Sequence, residues 1–288
     1  MDLRVILAPV RGDGKGESIL GLAVALARRF EAHIDVVHVH AKPEDLLPFG
    51  VPIPGLLRES IIEAVAKTAG QEETHLRELF REFCRARGLN EVDANATPLG
   101  QGVTISWREE AGKQASVISR LAPLADLLVV ARPEPSGSLG HNTLESALFD
   151  VRKLTALAPP GEVAEAGRHV AVAWNGSAEA ARAVGLALPL LARADAVTVL
   201  GAERPKLRGL DVDALRRYLA YHEISAEFKD FRARARDVAA PLLEAAAQAG
   251  ADLLLMGAYG ADRRRELVLG GVTQHVVQHA EMPVLMAH

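Results

Sequence analysis

The sequence predicts two doubly wound α/β domains in tandem, each a parallel sheet with helices on both faces. Three observations carry that expectation. Short runs rich in Val, Ile and Leu alternate with amphipathic stretches of helix length. The pattern occurs twice. The length, 288 residues, suits about two domains at roughly 150 residues each.

The elements follow in order. Strand-like runs lie at 3 to 9, 33 to 40, 97 to 107 and 126 to 131, then at 169 to 174, 195 to 201, 224 to 231 and 251 to 256, with Pro283 to Ala287 last. Helical stretches fall between them at about 17 to 31, 56 to 87, 110 to 122 and 142 to 151, then at 177 to 192, 210 to 222, 237 to 249 and 271 to 280. Arg11 and Asn175, each in the turn after a first strand, are 164 positions apart, as are Gly21 and Gly185 in the following helices. A second pair of matching runs, Ala125 to Val130 and Ala251 to Met256, is separated by 126. The chain is therefore an unequal duplication, with about 38 extra residues in its first half. Pro43 to Gly55, with four prolines and two glycines, opens that extra length and reads as a surface loop. The junction is expected at Ala158-Pro159-Pro160-Gly161, giving domains 1–160 and 161–288.

Composition excludes several functions. One cysteine makes neither an internal disulfide nor a multi-thiolate zinc site, so a cytoplasmic protein is expected. A formal charge of −4 with interspersed signs argues against a broad basic face for nucleic acid. Leu3 to Pro9 follows Asp2 and is too short for a signal peptide or anchor, and no later run spans a bilayer without a charge, so no membrane role is expected.

Ligands of such sheets bind beyond the carboxyl ends of the strands, where strand order reverses. In the second half the fourth strand runs into Met256-Gly257-Ala258-Tyr259-Gly260, and Gly270-Gly271-Val272-Thr273 opens a helix. Gly257 and Gly260 leave room for a ligand to approach backbone. Gly270 and Gly271 offer bare amides at a helix N-terminus, a favourable place for phosphate, and Thr273 adds a hydroxyl. The same glycines serve equally well as a turn and a helix start.

Gly257, Gly260 and Gly270 at these separations, then Val272-Thr273 and Met282-Pro283-Val284-Leu285-Met286, resemble the nucleotide-binding signature and last strand of the universal stress protein (UspA-like) family. Val170 to Ser177 is similar to the first strand and turn of its tandem members. The resemblance implies flavodoxin-like, five-stranded domains of the adenine nucleotide alpha hydrolase-like kind, paired through their last strands, and a site for ATP, with or without Mg. Adenine would lie against Ala173 and Leu200, ribose near Asn175 and Gly257, and phosphates on Gly260, Gly270, Gly271, Val272 and Thr273. Met256 completes the set. Two positions depart from the pattern: Asn175 stands where ATP-binding members have Asp, and Gly271 where they have Ser or Thr. Each removes a charge or a hydroxyl, and one lost neutral hydrogen bond is worth about 0.5–1.5 kcal/mol. Asn175-Gly176-Ser177 is equally a helix cap.

The first half departs further. Ala131 stands opposite Gly257 and Glu134 opposite Gly260, the loop to Gly140 is four residues shorter, and Arg11 replaces the family's Asp. Glu134 is expected to repel phosphate, and this half is expected not to bind nucleotide in the family manner. Gly12-Asp13-Gly14-Lys15-Gly16 lacks P-loop spacing and reads as a turn.

Other features have plainer readings. Arg263-Arg264-Arg265 could close over a triphosphate but reads better as a solvated run, as do the alternating Arg232, Arg234 and Arg236. His275 and His279 share metal-site spacing without a third ligand, His38 and His40 share a strand face, and Cys84 lies in a helix as a structural residue. No catalytic set emerges, so the chain is expected to be no enzyme, at most a weak ATPase. The leading expectation is a stress-response regulator that binds an adenine nucleotide, with room for a homodimer and an unidentified protein partner. The alternative is a nucleotide-free interaction scaffold with vestigial pockets.

Overall fold

The computed structural model describes residues 2–40, 55–95, 102–134, 141–203, 210–233, 237–260 and 271–288. The first half runs β1 (Val5–Val10), α1 (Gly16–Phe30), β2 (His33–His40), α2 (Gly55–Arg87), β3 (Asn90–Glu91), β4 (Thr104–Ala111), α3 (Gln114–Leu121), β5 (Leu127–Ala131), α4 (His141–Glu145) with a π-turn Ser146–Val151, and β6 (Leu154–Ala158). The second runs β7 (His169–Trp174), α5 (Ala178–Leu191), β8 (Ala196–Ala202), α6 (Val212–Tyr221), β9 (Glu227–Phe231), α7 (Ala239–Gln248), β10 (Leu253–Gly257), α8 (Val272–His279) and β11 (Val284–Ala287).

All eleven strands form one sheet in the order β3-β4-β2-β1-β5-β6-β11-β10-β7-β8-β9. Within each half the pairing is parallel. The halves meet where β6 and β11 pair antiparallel, Val284 opposite Leu157 and Met286 opposite Thr155. Strand order reverses at β1/β5 and again at β7/β10, the two places where a crevice can open.

Burial accounts for the strands. β6 and β11 are buried at every position, as a strand covered on both faces must be; β11 is wholly apolar, and β6 is apolar apart from the buried Thr155. One face carries a single apolar cluster that crosses both halves, with Leu26 and Phe30 of α1, Ala156, Leu190 of α5 and Leu285. The other face carries two clusters, one within the first half around Leu7, Val37 and Ile118, and one that crosses the seam and joins Leu144, Leu148 and Leu157 to Leu254, Val276 and Val284. Helices thus cover both faces of the sheet. Repeat counterparts also meet: Arg29 donates to the carbonyl of Arg193 and Arg193 to that of Arg29. The Arg193 guanidinium also lies 4.6 Å from the Phe30 ring centroid.

Three sequence expectations need correction. β6 went unread as a strand, because its five residues precede two prolines and looked like the start of the junction. The third strand is Thr104–Ala111 rather than 97 to 107; its charged end, Arg108-Glu109-Glu110, resembles a helix start but pairs with β2 as far as His40 opposite Ala111. The first half also has a sixth, two-residue strand, β3, beside β4. Pro43 to Pro54 lies outside the described residues. Among the described residues no helix is long and apolar enough to cross a membrane.

His33 at the start of β2 sits between Thr104 Oγ1 (2.9 Å) and Ser106 Oγ (3.1 Å). Burial lowers its pKa below 6.5, with Asp35 opposing. The neutral ring is therefore favoured on folding. Its contribution is complete above the ordinary histidine value and is lost as pH falls through that value towards the depressed one. On going from about pH 7.5 to about pH 5.5, the wild-type melting temperature should fall further than that of His33→Gln. Equal falls would assign the acid sensitivity to other groups.

Candidate functional site

The second reversal point holds a cleft of about 400 Å³. That lies within the range of about 300–1,000 Å³ common to small-molecule sites. Its lining includes Ala173, Asn175, Leu200, Met256, Gly257, Gly260, Val272 and Thr273, eight of the ten positions singled out in the sequence. The fold explains the convergence. Ala173 lies at the end of β7 and Asn175 in the turn just after it, Leu200 lies in the last part of β8, Met256 and Gly257 end β10, and Val272 and Thr273 open α8. Gly271 is the N-cap of α8, with no side-chain hydrogen bond capping the helix. Gly270 and Arg263-Arg264-Arg265 lie outside the described residues, as do Arg234 and Arg236.

The residues do not all act as expected. Gly257 was read as space for a ligand, but a Cβ there would lie 2.5 Å from the Ala180 backbone nitrogen. The glycine seats the first turn of α5 against β10. Gly260 differs: among the described residues a Cβ there would meet only Glu179 Oε2, at 3.7 Å. Asn175 is exposed, and its Oδ1 accepts from Ser177 N at 3.0 Å, while Ser177 Oγ caps α5 by accepting from Ala180 N at 3.1 Å. Its amide oxygen is thus committed to the turn.

Thr273 is buried and its Oγ1 accepts from Tyr259 N at 3.2 Å, so it fastens the glycine loop. Tyr259 has φ +49°, a left-handed conformation unusual for a large side chain. The Phe149 ring from the first half stands 5.2 Å from it, and the His288 ring 4.7 Å from Phe149. The first half therefore buttresses the loop of the second.

Other lining residues escaped the sequence reading. Phe231 and Leu242 form an apolar wall, and Trp174, Ser177, Glu179 and Tyr259 contribute polar atoms. Trp174 Nε1 is buried without a hydrogen-bond partner. Among the described lining residues Glu179 is the one charged side chain. No signal along the chain pointed to it.

At the first reversal point the equivalent space is about 20 Å³, room for about one water. Arg11, the counterpart of Asn175, fills it. Its guanidinium donates to Gln114 Oε1 and, at 2.7 Å, to Thr143 Oγ1, and Thr143 is the counterpart of Thr273. Burial lowers the Arg11 pKa below its ordinary value, with Asp13 opposing. Glu134 is not a bare repulsive charge, because Lys15 Nζ lies 3.2 Å from Glu134 Oε1 and 3.0 Å from the Arg132 carbonyl. Gly140 lies outside the described residues.

The remaining candidates have structural partners. His38 Nδ1 lies 3.3 Å from the Val10 carbonyl, and its ring stacks on Trp107 at 6.0 Å. His275 and His279 stack on each other at 4.1 Å. Among the described residues no group of three or more His, Cys, Asp or Glu side chains could hold a metal ion. Cys84 is buried, and burial pushes its thiol up to about 11, far from a reactive thiolate.

A doubly wound sheet with a cleft at its strand-order reversal, bordered by a glycine loop and a helix N-terminus, defines a class of small-ligand α/β proteins. Residues 167–288 match the Universal stress protein family. A universal stress protein from Archaeoglobus fulgidus DSM 4304 has the same fold over 99% of this chain and 96% of its own, with a TM-score of 0.69 at 15% identity. A functionally unknown protein from Pseudomonas aeruginosa PAO1 matches over 99% of this chain and 92% of its own, with a TM-score of 0.57 at 14% identity. No curated protein sequence matches the chain.

Proposed function

We propose that the chain is a stress-response binding protein that takes an adenine nucleotide, ATP, in the cleft of its second half, residues 161–288. Residues 1–160 act as a nucleotide-free structural partner. The observation that carries this reading is the contrast between the reversal points: about 400 Å³ in the second half against about 20 Å³ where Arg11 fills the first. The apolar wall of Leu200, Phe231 and Leu242 suits a purine, and the uncapped N-terminus of α8 supplies amides for phosphate. Catalysis is not part of the proposal. The described lining contains no His, Cys or Lys to serve as base or nucleophile.

The test is thermal unfolding with and without Mg-ATP. A ligand that binds only the folded state stabilises it by about 2.7 kcal/mol at a hundredfold excess over Kd, so the melting temperature should rise by several degrees. Gly260→Val should abolish the rise while leaving the unliganded melting temperature nearly unchanged, because among the described residues a Cβ there meets only a side-chain end. No rise at saturating nucleotide would overturn the reading. Mass spectrometry of ligands released from gently purified protein would then identify what the cleft carries instead.

A further inference from the structure

The nucleotide reading leaves the charge of the cleft unexplained. Its described lining holds no Arg or Lys and one carboxylate, Glu179, in the first turn of α5. That side chain runs alongside the glycine loop. Its Cβ lies 2.9 Å from where a Cβ on Gly257 would stand, and its Oε2 lies 3.7 Å from the equivalent point on Gly260. It has no hydrogen bond or ion pair with any described residue. It is only partly buried, and its Oε2 faces the loop along which the phosphates of the proposed nucleotide would run.

Two features of the site bear on what that carboxylate does. The oxygen expected to meet the nucleotide, Asn175 Oδ1, is already taken by Ser177 N. Glu179 is the one carboxylate among the described lining residues, and no described residue pairs with it. A phosphate chain beside an unpaired carboxylate is repelled, and the repulsion grows as the site excludes water. The positive end of α8 lies on the phosphate path but carries only about half an elementary charge. A divalent cation resolves the conflict, since magnesium typically takes one or two carboxylates together with phosphate oxygens.

We propose that Glu179 acts as a charge filter: the cleft accepts a polyphosphate nucleotide only as its divalent-cation complex, with the cation held between Glu179 and the phosphates. This rests on the nucleotide reading above. The remaining ligands of the ion are phosphate oxygens and water, in keeping with the absence of a multi-residue metal cluster among the described residues.

The experiment is calorimetric titration of the full chain and of Glu179→Gln with ATP in excess magnesium, with ATP in EDTA, and with adenosine. The glutamine keeps the size of the side chain and breaks no described bond. For the wild type, ATP should bind at least about tenfold more weakly in EDTA than with magnesium. In Glu179→Gln that ratio should shrink to within about threefold, chiefly because ATP binds better in EDTA, and adenosine should bind both proteins alike. Equal wild-type affinity for ATP in magnesium and in EDTA would overturn the filter while leaving the nucleotide reading intact. So would a parallel loss of adenosine and Mg-ATP in the variant, which would put the carboxylate on the ribose. If neither protein binds any of the three ligands, both proposals fall together.

Discussion

Valine at position 257 should cost the fold about 3 kcal/mol or more, whereas the same change at 260 should cost under about 1 kcal/mol. Both glycines belong to one loop, and the sequence gives no reason to separate them. The difference lies in what stands opposite. A side chain on Gly257 would meet the backbone of Glu179 and Ala180 at 2.5 to 2.7 Å, and backbone in a helix's first turn cannot step aside without moving α5. A side chain on Gly260 would meet the flexible end of Glu179. The two tryptophans, Trp107 and Trp174, lie one in each half. Trp107→Phe therefore leaves a fluorescence reporter in the second half, and the denaturation midpoint should shift strongly for Gly257→Val and little for Gly260→Val. Equal midpoints would mean that α5 is not seated on β10 as described.

Asp252→Ala should be the other severe substitution. The Asp252 carboxylate accepts from three successive backbone amides, Gly167 N and Arg168 N at 2.9 Å and His169 N at 3.2 Å, and so fixes the start of β7 on β10. Hydrogen bonds to charged groups are worth about 1.5–3 kcal/mol each before solvent replaces some of them, so a net loss of about 2–3 kcal/mol is expected. The first half repeats the device with Asp126, which accepts from Arg4 N at 2.8 Å and Val5 N at 2.9 Å. Asp126 is more exposed and holds two amides, so water can substitute more readily and Asp126→Ala should cost about 1 kcal/mol. Denaturant titration of the two variants checks the order. A larger loss at 126 would show that solvent exposure does not govern the difference.

Much of the architecture was legible along the chain because burial leaves a periodic mark. Strands covered on both faces read as unbroken apolar runs, and α1, α2 and α5 begin and end within a residue or two of the amphipathic pattern. The repeat offsets located both reversal points. Legibility failed where pairing, not hydrophobicity, makes the strand. β6 is short and abuts prolines, and the outer end of β4 is charged because only β3, two residues long, lies beyond it. For the site, the sequence supplied positions but not roles. That Gly257 seats a helix and that Glu179 lines the cleft depend on neighbours far apart in sequence, whereas the turn from Asn175 to Ser177 is local and was legible as a helix cap. Arg11 was legible as a departure from Asp, while its reach to Gln114 and Thr143 was not.

The antiparallel seam between β6 and β11 changes the order of the reaction by which the halves associate. Two separate copies meeting edge to edge would obey mass action, separating on dilution and gaining stability with concentration. Here the tether makes the encounter unimolecular, with an effective local concentration in the millimolar range for a short linker, which dilution of the protein does not alter. The sheet is left with β3 and β9 as its outer strands. β3 is two exposed residues long, and β9 carries Glu227, Lys229 and Asp230 in five positions, so both edges are poor templates for unwanted strand addition. Covalent linkage thus removes the one long apolar edge that each half, as a free chain, would have had to hide.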